Sequence, residues 1–209
     1  MNSFETDMKR AVFSYRFAGG VALMLWVLYT AGYGSKLYMV CVPVICTFPY
    51  TTAWLADYGS GYIKQYLPRT GVRAYIMGKI FACGISGGLV EVIPIWLFAW
   101  LKDKTVLEQA ELSLVFASGV LWAVLAATLA ALVGSRYVAY GGSFVIFYLL
   151  VILHERYFRR LYCLNPQEWL KPVHTWVFNN QGVLMLMTGF TAIFICIYYE
   201  TLRRCMEHV

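Results

Sequence analysis

Long stretches without a charged side chain are the feature that most constrains how this sequence can fold. Residues 17–35, 37–56 and 112–134 contain no Asp, Glu, Lys or Arg. A helix of about 20 apolar residues crosses the hydrocarbon core of a bilayer. Only 13% of the 209 residues are charged, against about 25% in an average soluble domain. The sequence therefore predicts an all-α, polytopic membrane protein.

Six spans are predicted within one transmembrane domain, residues 1–209. They cover residues 17–35, 37–56, 74–101, 112–134, 141–153 and 183–199. Pro43 and Pro49 should bend the second span, because proline removes a backbone hydrogen-bond donor. The prediction of the fifth span rests on an uncharged run of only 17 residues, 137–153.

The first residues predict a helix that lies in the membrane interface, over residues 2–15. Apolar side chains recur at helical spacing, with Lys9, Arg10 and Arg16 on the other side and Ser3 as a candidate N-cap. With the N-terminus in the cytoplasm, ten of the seventeen basic residues are on that side, as the positive-inside rule requires. These ten are Lys9, Arg10, Arg16, Lys64, Arg69, Arg73, Lys79, Arg136, Arg203 and Arg204. We therefore expect both termini in the cytoplasm of a multi-pass protein of the cell membrane, although the last outer loop is also basic.

Known catalytic and metal-binding patterns do not occur in the sequence. His154 and Glu155 begin like a zinc-protease motif, but Phe158 occupies the position of its second histidine. The six cysteines form no Cys-x-x-Cys pair, and no basic run exceeds two residues. We predict no catalytic residue, no metal site, no cofactor bound by this chain and no nucleic-acid partner.

Two charged residues lie within the predicted third span. Lys79 is near its start, where its long side chain is expected to snorkel to the interface. Glu91 is deeper, and a charge there costs about 2.5–3.5 kcal/mol. Either it lies on a substrate path or binds a proton, or it bonds to a neighbouring helix near the outer end of the span.

Small residues at four-residue spacing predict close helix packing in the third and fourth spans. Either they serve packing within one chain, which is the commoner use, or they form a subunit interface. The residues are Gly84, Gly88, Gly119, Ala123, Ala127 and Ala131.

Two polar segments lie between spans. Residues 57–73 contain a short amphipathic helix that ends at Pro68, and the segment is longer than a passive turn requires. Residues 154–181 form the last outer loop. There Asn165, Pro166 and Glu168 predict a short helix by capping, and Trp169, Trp176 and Phe178 suit a segment that re-enters the interface.

The order of these elements resembles the type-2 permease family of ATP-binding-cassette (ABC) exporters. The local similarity is carried by DYGSG at 57–61, YLPRTGVR at 66–73, and then Tyr75 and Lys79. The family often has Glu where Asp57 or Tyr58 stands, and many members are longer.

This resemblance implies an N-terminal elbow helix at 2–15, re-entrant helices in the outer loop, and a cytoplasmic segment, 57–73, that couples the chain to a separate ABC ATPase subunit. The partner would bind ATP and Mg, and this chain would not be an enzyme by itself. Two permease chains would pair as a homodimer or a heterodimer. The coupling residues would be Gly61, Tyr62, Ile63, Lys64, Gln65, Tyr66, Leu67 and Arg69.

Two alternatives to a permease subunit stay open from the residues. One is an ion-coupled carrier or membrane enzyme centred on Glu91. The other is a structural membrane subunit without a path of its own. The cargo is not predicted.

Overall fold

The computed structural model describes residues 3–64, 70–102, 104–176 and 178–207. These ranges are helical and contain no strand, which confirms the all-α prediction. The helices are α1 (Ser3–Val12), α2 (Tyr15–Ala31), α3 (Lys36–Ile45), α4 (Ala53–Gly59), α5 (Val72–Leu101), α6 (Thr105–Gln109), α7 (Leu112–Val133), α8 (Arg136–Arg156), α9 (Pro166–Leu170) and α10 (Asn180–Glu207). A 3₁₀ turn at Tyr162–Leu164 precedes α9.

The number of candidate membrane spans is smaller than the six predicted. In the described part of the chain, α5, α7, α8 and α10 are each long and apolar enough to cross a membrane. A fifth span results if α1 and α2, which meet at a 47° bend, are counted together. The apolar helices fit a membrane protein, but the count of six is not confirmed.

The predicted second span, 37–56, is not one continuous helix. It is divided into α3 and α4 by a series of turns. Pro49 has no N–H to donate, and the bonds around it are short-range, such as Thr47 N to Val44 O. The side chain of Ser143 on α8 donates to the carbonyl oxygen of Pro43 at 2.5 Å. Polar side chains thus supply bonds where the backbone ladder is interrupted.

The other helices differ from the predicted spans mainly at their ends. α2 begins at residue 15, where Ser14 accepts a bond from Phe17 N, and ends at residue 31 instead of 35. α8 and α10 extend beyond 141–153 and 183–199 at both ends and include charged residues there. α1 is shorter than the predicted 2–15. A charged residue ends the part of a helix that can lie in hydrocarbon, but it does not end the helix itself. Backbone hydrogen bonds continue through a charged turn, so these helices are longer than the predicted spans.

α7 is the central helix of the bundle. Of the 18 residues in its most apolar stretch, 78% are buried, against 17% in the corresponding stretches of α8 and of α10. α5 packs along one side of α7 and α10 along another. α7 therefore determines how closely α5 can approach the rest of the bundle.

Candidate functional site

A buried lysine forms the centre of the most strongly polar site. Lys79 lies on α5 and is only 1% exposed, so the expectation that it snorkels to the interface is wrong. Its Nζ lies 3.0 Å from Asp7 Oδ1 and 2.6 Å from Asp57 Oδ2. It also donates to Tyr50 Oη at 2.9 Å. Both carboxylates are themselves buried.

Two tyrosines complete the surroundings of this ammonium group. The Tyr50 and Tyr75 ring centroids lie 5.0 and 5.3 Å from Nζ, within cation–π range. The Tyr75 hydroxyl donates to Asp57 Oδ2 at 3.0 Å, and the Tyr50 hydroxyl donates to Asp7 Oδ1. Each carboxylate thus receives hydrogen bonds as well as the charge of the lysine.

Arg10 on α1 adds a second cation at the edge of the site. Its Nη2 lies 3.2 Å from Asp57 Oδ1, and its guanidinium lies 5.7 Å from the Tyr62 ring centroid. Two cations therefore face two carboxylates, and the formal charges balance. We call these six residues the Lys79 cluster: Asp7, Arg10, Tyr50, Asp57, Tyr75 and Lys79.

The Lys79 cluster joins parts of the chain that are far apart in sequence. Asp7 and Arg10 come from α1, Asp57 from α4, and Tyr75 and Lys79 from the first two turns of α5. Removing one partner from a buried ion pair leaves an uncompensated charge and costs about 3–5 kcal/mol. α1 is therefore held in one position against the ends of α4 and α5.

The predicted coupling residues follow directly after α4, and the structure describes only part of them. Gly61 has a positive φ of 69°, a conformation that favours glycine. Ile63 is buried and Lys64 is exposed. Gln65, Tyr66, Leu67 and Arg69 lie outside the described residues.

Glu91 is the second buried charged residue of α5. It is 0% exposed, and within the described part of the chain neither of its carboxyl oxygens has a hydrogen-bond partner. The expected bond to a neighbouring helix is therefore not observed. The hydroxyl of Tyr38 on α3 is likewise buried without a partner.

The predicted packing residues lie between α5 and α7 of this chain. A Cβ added at Gly119 would lie 2.7 Å from the Gly87 carbonyl oxygen, and one added at Gly88 would lie 2.5 Å from the Phe116 ring. Gly87, which was not among the predicted residues, makes the closest approach, 2.4 Å from the Ala123 Cβ. The remaining members, Gly84, Ala127 and Ala131, are also buried.

The loop between α8 and α10 contains a fourth buried carboxyl side chain, Glu168, on α9. Asn165 caps this helix by accepting a bond from Gln167 N at 3.2 Å. Glu168 Oε2 accepts bonds from Val173 N and His174 N at 2.9 and 3.2 Å, and Oε1 lies 3.0 Å from His174 Nδ1. Burial raises the pKa of this carboxyl, but the bonds from Val173 and His174 outweigh it, so the pKa lies below its ordinary value.

Sequence reasoning missed Asp7, Tyr50 and Tyr75 as members of a site, and it treated Lys79 as a surface residue. A signal was present, because a charged residue within an apolar span requires a partner. Asp7 and Asp57 are two of several acidic residues predicted on the same membrane side. Which of them meet Lys79 depends on tertiary contacts, and the contact with Asp7 spans 72 residues of sequence.

The described residues include no group of three or more His, Cys, Asp or Glu side chains that could hold a metal ion. Comparison of the chain with family models, curated proteins and solved structures found no match.

Proposed function

We propose that this chain is the membrane-spanning permease subunit of an ATP-driven exporter of the ABC type. The observation that carries the proposal is the Lys79 cluster, which joins α1, α4 and α5 at the two ends of the segment 61–70. A segment that receives force from a partner requires a firm attachment to the spans. The cluster provides one at both ends of this segment.

The order of the elements supports this function. An N-terminal amphipathic helix is followed by α2, the α3–α4 pair, the connecting segment and α5. In the proposed assembly the segment around Gly61 to Arg69 faces the cytoplasm and contacts a separate ABC ATPase. Both chain termini are cytoplasmic, and a second permease chain completes the path across the cell membrane. ATP and Mg bind to the ATPase, and this subunit has no nucleotide site.

The mechanism proposed for coupling is mechanical. Closure of the ATPase on ATP displaces the segment 61–70, and α4 and α5 move with it. α1 follows, because Asp7 and Lys79 are bonded at 3.0 Å. The inner ends of three helices therefore move as one body, whereas their outer ends are free to move differently.

The gene neighbourhood provides the first test of whether this chain is a subunit of an ABC transporter. The proposal expects a neighbouring reading frame that encodes an ATPase with a Walker A motif. Co-expression of that ATPase with this chain in membranes should then yield a complex that can be purified.

The contact itself is tested by charge reversal at Lys64, which is exposed next to the segment. Lys64→Glu should weaken ATPase binding about tenfold, which corresponds to about 1.4 kcal/mol. Lys104→Glu is the matched control, because Lys104 is also exposed but lies before α6, beyond the far end of α5. Equal binding by the two variants would contradict the proposed contact, as would labelling of Lys64 from the outer face of intact cells.

A second candidate function, an ion-coupled carrier, is favoured by the isolated carboxyl of Glu91. This candidate needs no ATPase. Flux that persists in vesicles without ATP and is lost in Glu91→Gln would favour the carrier over the exporter.

A further inference from the structure

Glu91 and Tyr38 are buried within the bundle without hydrogen bonds to their side-chain oxygens, a condition that they share only with the indole nitrogen of Trp176 among the described residues. Within the described residues, the buried side-chain oxygens without a hydrogen-bond partner are the two of Glu91 and the hydroxyl of Tyr38. Both residues are 0% exposed. A polar group buried without a hydrogen bond costs free energy, so a state of the molecule in which water reaches it would remove this cost.

The contact between α5 and α7 closes one side of Glu91. A Cβ at Gly119 would lie 3.1 Å from Glu91 Cγ, so the carboxyl side chain occupies the space that the glycine leaves. The same Cβ would lie 2.7 Å from the Gly87 carbonyl oxygen. The two backbones therefore touch within about one helical turn of Glu91, and water has no room between them.

No cation faces Glu91 from the helices around it in the described part of the chain. The ionisable groups that interact with it are Tyr38 and Cys41 on α3 and Cys46, which directly follows this helix. α7 has no ionisable side chain. On α2, Arg16 bonds to Thr52 and Tyr29 lies under Lys102. On α10, the buried Tyr198 faces Cys83, and the charged residues, Glu200, Arg203, Arg204 and Glu207, follow it in the last turns of the helix.

A proton is the ligand that this environment can hold. A carboxylate without a partner would cost several kcal/mol in such a site, whereas a neutral carboxylic acid carries no charge. Ca²⁺ takes about six to eight oxygen ligands, and here one carboxyl and one phenol are available. We infer that Glu91 is a proton-binding site, which takes up a proton when α5 and α7 close and releases it to water when they separate.

This inference gives the bundle a dependence on pH. The closed state holds one proton more than the open state, so raising the pH favours opening. For one proton the closed-to-open ratio changes by at most about tenfold per pH unit. The inference does not depend on the ATPase, because it concerns only contacts within this chain.

Infrared spectroscopy of the purified chain in lipid nanodiscs tests the protonation state. The difference spectrum between wild type and Glu91→Gln should contain the carbonyl band of a protonated carboxylic acid. Glu91→Asp, which keeps an acid, should shift this band without removing it, and it serves as the reference if Glu91→Gln does not fold.

Thiol labelling tests the link to opening. Cys46 is 1% exposed, and its carbonyl oxygen is 3.3 Å from a Cβ added at Gly87, so its thiol reports separation of the helices near Glu91. Cys196 on α10 is exposed and provides the normalising rate. The normalised Cys46 rate of wild type, divided by that of Glu91→Gln, should rise with pH. If Glu91→Gln does not fold, Glu91→Met is the reference, because its side chain also cannot bind a proton.

Each result decides for or against the inference. An acid band together with a pH-dependent ratio supports it. A spectrum without the acid band overturns the proton site, and a ratio that is constant with pH overturns the coupling to opening. Neither result bears on whether an ATPase binds at Lys64, so this inference and the exporter proposal can fail separately.

Discussion

Lys79 and Glu91 are both fully buried ionisable residues of α5, yet their surroundings are opposite. Lys79 has two carboxylates and two tyrosine rings around it. Glu91, about 18 Å further along the helix by the rise of 1.5 Å per residue, has no bonded partner among the described residues. The Lys79 end is fixed by complementary charge, whereas the Glu91 region is held by close backbone packing alone.

The difference indicates how one helix can serve two purposes. Breaking the Lys79 cluster would leave several buried charges unpaired at once, which is costly in a surrounding of low dielectric constant. The start of α5 is therefore expected to move as a rigid unit with α1 and α4. Separating the α5–α7 contact at Gly119 loses mainly dispersion contacts, and it relieves an unsatisfied carboxyl. We therefore expect conformational change in α5 to be concentrated near Glu91.

The largest predicted effect is the loss of the buried cation. Lys79→Met should lower the free energy of unfolding by about 3–5 kcal/mol, because Asp7 and Asp57 are left without their central counter-charge. Unfolding by denaturing detergent in mixed micelles measures this. The corresponding change at the other end, Glu91→Gln, should cost less than about 1.5 kcal/mol, as volume-conserving exchanges do.

A triple variant separates charge from packing at Lys79. Asp7→Asn, Asp57→Asn and Lys79→Met together remove the three buried charges and leave only that of Arg10, whose side chain is 46% exposed. The triple variant should recover most of the stability lost in the single variant. If the triple variant were as unstable as Lys79→Met, ion pairing would not be the reason for the loss.

An intermediate effect is predicted where α5 meets α7. Gly119→Ala places a methyl group 2.7 Å from Gly87 O and 2.9 Å from Gly88 Cα, and these backbone atoms cannot rotate away. The helices must separate, at a cost of about 1–3 kcal/mol, and Cys46 should react faster with thiol reagents.

Gly141→Ala is the matched control for this change. A Cβ at Gly141 on α8 meets nothing within 4 Å. Its stability and Cys46 labelling should therefore resemble those of the wild type. Equal behaviour of the two variants would show that the α5–α7 approach is not restricted at Gly119.

The smallest predicted effect concerns Glu168, a buried carboxyl that is paired but lies outside the spans. Its folded-state pKa is below the ordinary value, so its contribution is present above the unfolded pKa and is lost as the pH falls through the folded pKa. Acidification should loosen the loop between α8 and α10 locally, which amide hydrogen exchange at Val173 and His174, corrected for the intrinsic rate at each pH, can measure. In Glu168→Gln these amides should exchange faster already at neutral pH and show no further acid step.

The sequence predicted those parts of the fold that depend on local composition. α5 and α7 begin and end within two residues of the predicted spans, because long apolar runs with at most two charged residues can be recognised in the sequence alone. The break between α3 and α4 was not predicted, since proline alone does not reveal which side chains will satisfy the freed backbone groups. Glu91 was identified from its depth, but its lack of a partner depends on the other helices. The Lys79 cluster required knowledge of which distant residues meet.

The bond between Asp7 and Lys79 also sets an order in time for biosynthesis. At about 5–20 residues per second, Lys79 is added roughly 4–14 s after Asp7. Until then α1 has no counter-ion for its carboxylate and cannot take its final place. The amino-terminal helix, although made first, therefore becomes fixed only after the start of α5 has been made.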